Sequence, residues 1–410
     1  LAENARSTQF RFAASVPSLA SLGSYHDYRM RPQALTVNAT VVGGGGVLTV
    51  DELTAKLDES DIVGSVRYEI GDVPRLDVNI ESESLLLLSP LEEQEQTYDP
   101  EPEFDDGRVI PDTPVPFGAL ASLNAAVKID IGDLIRDGRH FRDVELKLSL
   151  EDGELNLSRF GFNAPSGHLD ARARLVPDGE SGRLDIELGA SDLALGLSES
   201  NADLSMTGDL QANLTATGAN LRELAATLDG VLFIYTRGGR GENNRFLQAI
   251  WGDMLQEIIG VINPFYTANS RTTFECIIIP LEIESGVVAS APNALMLTQR
   301  VRIVSSADIN LETEELDLNF RTTPRRGVII SAGEILNPFV KVVGTMAAPR
   351  LAVDEQGALI SGGAAVATGG LSILARAAWD RLNRSSDPCG DVATQALEAL
   401  SGRFAEFPTE

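Results

Sequence analysis

Histidine, cysteine and tryptophan are nearly missing from this 410-residue chain, which holds three, two and two of them. The three histidines, His26, His140 and His168, stand far apart, and the last two adjoin glycine-rich turns, so they are expected at the surface and not in a metal or catalytic set. Cys276 and Cys389 are too few for a disulfide-dense framework, and neither lies in a Cys-x-x-Cys or Cys/His ligand spacing. Spacing alone leaves a single disulfide and two buried thiols both open. Positive charge is also short: 33 basic against 60 acidic residues give a formal charge of −27. Such a surface repels phosphate backbones, which argues against nucleic acid as a partner.

The motifs of common chemistry are missing as well. The glycine runs GGGG at 43–46 and RGGRG at 237–241 lack the phosphate-loop lysine-serine ending and the dinucleotide-binding spacing, and Gly-x-Ser-x-Gly does not occur. Carboxylates abound without any pairing that singles two of them out. The expectation is a non-enzymatic protein with no catalytic residue, no metal and no cofactor. Residues 357–375 carry no charge, but their many Gly, Ser and Thr residues make a poor spanning helix. The sequence starts at Leu1 without an initiator methionine, so a signal or membrane anchor is expected to precede it in the parent protein.

What the chain has in quantity is alternation. In 203–217, Leu204, Met206, Leu210, Ala212, Leu214 and Ala216 fall on one side of an extended strand, and Asp, Ser, Thr, Gln and Asn fall on the other. The same period recurs from Leu35 onward, broken by turn residues such as Asp152-Gly153 and Pro165 to Gly167, and these short connections fit antiparallel meander. The fold class is therefore mainly β. About twenty strands at ~4.8 Å would run on the order of 100 Å, and an open sheet of that length must curl or split. The expected form is an elongated, curled antiparallel sheet, an open groove or half-pipe, with a few amphipathic helices in the C-terminal half. Period cannot tell whether a second sheet or an apolar ligand covers the dry side.

Two segments follow from the pattern. Residues 1–217 read as repetitive strands interrupted by an acidic, proline-rich loop at about 91–116, and residues 218–410 as strands with helices near 220–229, 245–263 and 371–383. The clearest helix is 245–263, where Leu247, Ile250, Trp251, Met254 and Ile258 recur at three- and four-residue steps up to Pro264.

The C-terminal half resembles the AsmA-like family of Gram-negative envelope proteins. The resemblance rests on LRELAATLDG at 221–230, NPF at 263–265, FECIIIPLEIESGVV at 274–288, ADINLETEELDLNF at 307–320, NPFVKVVGTMAAPRL at 337–351, GGAAVATGGLS at 362–372 and DPC at 387–389. It extends more loosely to LTVDELTAKLDESDIVGSV at 48–66 and RVIPDTPVPF at 108–117. The resemblance implies a long periplasmic β-groove behind an inner-membrane anchor, phospholipid movement toward the outer membrane, and a role in outer-membrane integrity, with an outer-membrane component as a further partner. Under it, Leu204, Met206, Leu210 and Leu214 are expected to line a groove for phospholipid acyl chains, and helix 245–263 to cap one end. Both cysteines sit inside matching motifs, and the periplasm is oxidising, so the resemblance also implies a Cys276–Cys389 bond. The alternative function is an envelope scaffold or assembly factor that binds outer-membrane proteins through a sheet edge.

Overall fold

The structure is a computed structural model that describes residues 7–22, 24–25, 28–29, 32–87, 107–136, 138–194, 207–242, 271–290, 293–325, 339–353 and 387–401. The chain is mainly β, and among the described residues nineteen strands join in one mostly antiparallel sheet. It divides into two compact units, Leu1–Glu103 with Pro114–Leu188, and Phe104–Thr113 with Gly189–Glu410.

In the first unit the strands are β1 (Thr8–Val16), β2 (Ser24–Tyr25), β3 (Tyr28–Arg29), β4 (Leu35–Gly44), β5 (Val47–Leu57), β6 (Ser60–Glu69), β7 (Arg75–Leu87), β8 (Asn124–Arg136), β9 (Arg139–Glu151), β10 (Glu154–Asn163), β11 (His168–Asp178) and the first part of β12 (Ser181–Ala194). β2 and β3 form their own small hairpin. The others pair in sequence order from β1–β4 through β10–β11. Turn chemistry sets this order: Asp152 and Gly153 both have positive φ, the geometry of a two-residue hairpin between β9 and β10. One pair departs from the meander, since β7 and β8 run parallel. A parallel pair needs a long crossover, and residues 88–123 supply it, including the short helix α1 (Phe117–Leu120).

The second unit holds the rest of β12, then β13 (Thr207–Gly218), β14 (Asp229–Glu242), β15 (Arg271–Glu284), β16 (Val287–Ser290), β17 (Ala294–Thr298), β18 (Val301–Asn310), β19 (Glu315–Pro324), β20 (Phe339–Thr345) and β21 (Ala348–Val353). Among the described residues its helices are α2 (Leu221–Ala226) and α3 (Pro388–Ser401). α2 begins with a reciprocal cap. Asn220 Oδ1 accepts the Glu223 N–H at 2.8 Å, and Glu223 Oε2 accepts the Ala219 N–H at 2.8 Å. α3 packs Cys389, Val392, Ala393, Ala396 and Leu400 on Val231, Phe233, Cys276, Ile278, Leu295 and Leu297 of β14, β15 and β17.

Several sequence expectations shift. The two compact units meet between 188 and 189, and β13, which pairs along most of its length with β14, lies with the strands that follow it. The helix expected at 220–229 is α2, shortened at both ends. α3 was not anticipated, although Asp387 before Pro388 is an N-terminal signal: its Oδ1 accepts the Gly390 N–H at 3.0 Å. The helices expected at 245–263 and 371–383, and residues 91–106 of the acidic loop, lie outside the described residues.

The stretch 108–113 is strapped to the rest of the second unit by a buried carboxylate. Glu314, 1% exposed, accepts the N–H groups of Val109 and Ile110 at 2.7 and 2.8 Å, while Arg222 donates to the Ile110 carbonyl at 3.1 Å. Glu314→Ala would leave two inward N–H groups without their acceptor. The expected loss is about 2–4 kcal/mol, read as a lower thermal midpoint and faster hydrogen exchange at 109–110.

Candidate functional site

The first unit presents one apolar and one polar side, and strand register aligns each across nine strands. Phe10, Val41, Val50, Val66, Val78, Val127, Leu148, Leu157 and Ala173 are successive register partners from β1 to β11. Because side chains alternate, residues two positions away share this side. A flanking row runs Leu48, Tyr68, Leu76, Ala125, Leu150, Leu155, Leu175. On the other flank Ile80, Ile129, Leu146 and Phe160 continue the same side. The result is a broad aliphatic surface with few aromatic side chains and no charge in these rows.

This surface is incompletely buried. Ala125 and Leu150 are 6% and 9% exposed, but the row from Val41 to Ala173 is only half-buried, and Phe10, Phe12 and Leu48 are 53%, 49% and 43% exposed. Among the described residues of this unit, extensive packing occurs only between strands that share a ladder, and no second layer lies over the apolar side. Domains ordinarily bury such a surface against another layer. An apolar area of this width left half in water marks a binding surface.

The opposite side is a charge ladder. Lys128, Lys147 and Arg159 are register partners on β8, β9 and β10, and the neighbouring row carries Glu81, Asp130 and Glu145. Lys128 Nζ lies 2.6 Å from Asp130, Lys147 Nζ lies 2.5 Å from Glu145, and Arg159 also pairs with Glu145. Hydrogen bonding from Lys147, joined by Arg159, holds the Glu145 carboxyl below the usual range, and the Asp130 hydrogen bond raises the Lys128 ammonium. These pairs are solvated, so they set the face of each strand more than the stability of the sheet.

In the second unit, Leu210 pairs with Ile234 and then Ile279, and Leu214 pairs with Gly230 and then Ile283. Both leucines are half-buried. They share their side of the sheet with Ile277, Met296 and Ile303, and so lie opposite the face that α3 covers. Further along, Val301, Ile303, Leu318, Val340 and Val342 form a buried apolar cluster. Leu204, Met206, Leu247, Ile250, Trp251, Met254 and Ile258 lie outside the described residues. Cys276 and Cys389 are joined by a disulfide that ties α3 to β15.

Among the described residues no group of three or more His, Cys, Asp and Glu side chains could hold a metal ion. His140 Nδ1 lies 2.8 Å from Asp133, and His168 Nδ1 lies 3.0 Å from the Asn163 amide oxygen, both half in water. No helix among the described residues is long and apolar enough to cross a membrane.

Sequence reasoning missed the nine-strand row of the first unit. Its strands were visible as alternation, but which residues align depends on register, and bulges such as that between Val50 and Leu53 shift it.

Comparison with known proteins adds one match. The searches of curated proteins and of solved structures found none. The sequence model of the AsmA family matches residues 101–292, a span that includes RVIPDTPVPF, LRELAATLDG and FECIIIPLEIESGVV. Over residues 101–292, just under half of its length, the chain is therefore similar to the AsmA family, and its long, mostly antiparallel sheet accords with that similarity.

Proposed function

We propose that this protein holds phospholipid acyl chains against the apolar side of its sheet and supports phospholipid transport between the inner and outer membranes. The observation that carries this reading is the nine-strand aliphatic row of the first unit, half-exposed and without a second layer among the described residues. The AsmA family, linked generally to envelope assembly and lipid transport, supports the same reading.

A uniform aliphatic row suits passage. Removing methylenes from water is worth about 0.8 kcal/mol each, and a bilayer supplies nearly the same gain. Exchange between membrane and protein is then close to neutral, and no position along the row holds a chain in a deep well. Neither a nucleophile nor a cofactor is required. The Cys276–Cys389 bond fits an oxidising compartment, the periplasm, where the parent protein would be inner-membrane anchored and would meet an outer-membrane component. With a formal charge of −27, nucleic acid is not proposed as a partner.

The test is organic extraction of the purified protein followed by mass spectrometry. Phospholipid is expected in stoichiometric amounts, and Leu210→Glu with Leu214→Glu is expected to lower it in the second unit. A lipid-free wild-type extract would favour the sheet-edge scaffold instead.

A further inference from the structure

The apolar side of the first unit is covered at one corner. Phe117 of α1 is 5% exposed, and its ring lies against Gly182 at the start of β12, in the space a Cβ would fill. Gly182 faces the apolar side. Arg172, next to Ala173 and so on the polar side, pairs with Glu187, and alternation then puts Gly182, Leu184 and Ile186 on the aliphatic side. Beside this contact, a Cβ on Gly153 would stand 3.4 Å from Ala121 Cβ and 3.3 Å from Pro177 Cγ, and Pro177 shares its side with Leu175 of the flanking row. Glycine at 153 and 182 is what lets the chain around α1 sit so close. Pro114 and Pro116 fix φ just ahead of the helix and stiffen its approach.

The strand ends at Gly153 and Gly182 belong to one rim of the sheet, along which the flanking row from Leu48 to Leu175 runs. Over β5 to β7 the same rim is bare. Leu48 and Tyr68 are exposed there, and the β6–β7 turn beyond them carries Ile70, at 68%, and Val73, also exposed. An acyl chain reaching the rim at β12 would have to displace a ring that is already buried. At β5 to β7 it would cover side chains that stand in water, with nothing to displace.

We infer that α1 is a latch on this rim: Phe117 bars acyl chains from the edge of the aliphatic surface at β9 to β12, and chains join or leave the row sideways past Leu48, Tyr68, Ile70 and Val73. The inference rests on the lipid reading and adds to it the place of entry and the residue that sets it.

The experiment loads the full chain from vesicles with a phosphatidylethanolamine that carries a diazirine in one acyl chain, and maps the cross-linked residues by mass spectrometry. The wild type is expected to show at least about tenfold more label at 48–73 than at 153–155 and 175–184. Phe117→Ala is expected to bring the two segments level, with faster hydrogen exchange at 117–122 reporting the freed helix. Circular dichroism checks folding, and Gly182→Ala, which sets a methyl group where the ring lies, unseats Phe117 by a second route. Even labelling of both segments in the wild type overturns the latch without need of a variant. A bias that survives both substitutions while exchange at 117–122 rises overturns the role of Phe117 and leaves the lipid reading standing. Absence of label from every strand overturns the lipid reading, and the latch with it.

Discussion

Replacing Val78 and Val127 together by glutamate is expected to strip phospholipid from the first unit while leaving its sheet folded. The two valines are parallel register partners on β7 and β8, in the middle of the aliphatic row, and both are half-buried. Half-exposure matters to both outcomes. Each glutamate can reach water in the lipid-free protein, so the fold bears little of the cost. An acyl chain laid over the same positions would desolvate two carboxylates, at several kcal/mol each. That outweighs the near-neutral exchange of a chain with the bilayer, so bound phospholipid should fall by more than about tenfold. Asn156→Glu, on the polar side of β10 next to Arg174 in register, adds the same charge without touching the row, and is expected to retain lipid. Lipid content that is unchanged in the double variant, with unaltered circular dichroism, would remove the first unit from the lipid path.

The behaviour of these two valines also shows how far the sequence could be read. Alternation at Leu76, Val78 and Ile80 and at Val127, Ile129 and Ile131 announces two strands with dry sides. It does not announce that the strands are neighbours. They are separated by 88–123 and pair in parallel, against the meander that the short turns elsewhere imply. Local chemistry, such as Asp152-Gly153 or the Asn220–Glu223 cap, was legible because the residues concerned are adjacent in the chain. The long-range partners were not. Glu314 is one of many acidic residues in the sequence, and only the fold brings Val109 and Ile110 to it. The aliphatic surface is likewise a product of register, so single-strand reading picked Leu210 and Leu214 in the second unit and passed over the wider row in the first.

Removing the disulfide by Cys276→Ala with Cys389→Ala is expected to release α3 and lower the thermal midpoint of the second unit by roughly 10 °C, from about 3–5 kcal/mol of lost stability. The bond joins residues 113 apart in sequence, and a cross-link over that separation restricts a large part of the unfolded chain. A loop of about 100 residues carries close to 4.7 kcal/mol in the chain-entropy account. α3 has few other ties. Of its buried side chains, Ala393 and Ala396 are small, so Val392 and Leu400 with the bonded cysteine supply most of the apolar contact with β14, β15 and β17. Freed of the bond, a helix of 14 residues falls in the range that is marginal alone in water. It would expose Phe233, Ile278 and Leu297, all at 1% or less exposure in the intact unit. Leu400→Ala separates packing from the cross-link: it keeps the bond and should cost about 2–5 kcal/mol. Hydrogen exchange over 388–401 reads the release directly, and reductant should reproduce it in the wild type. If α3 stays protected and the midpoint holds in the double variant, packing alone retains the helix, and the bond reports only the compartment in which the chain matured.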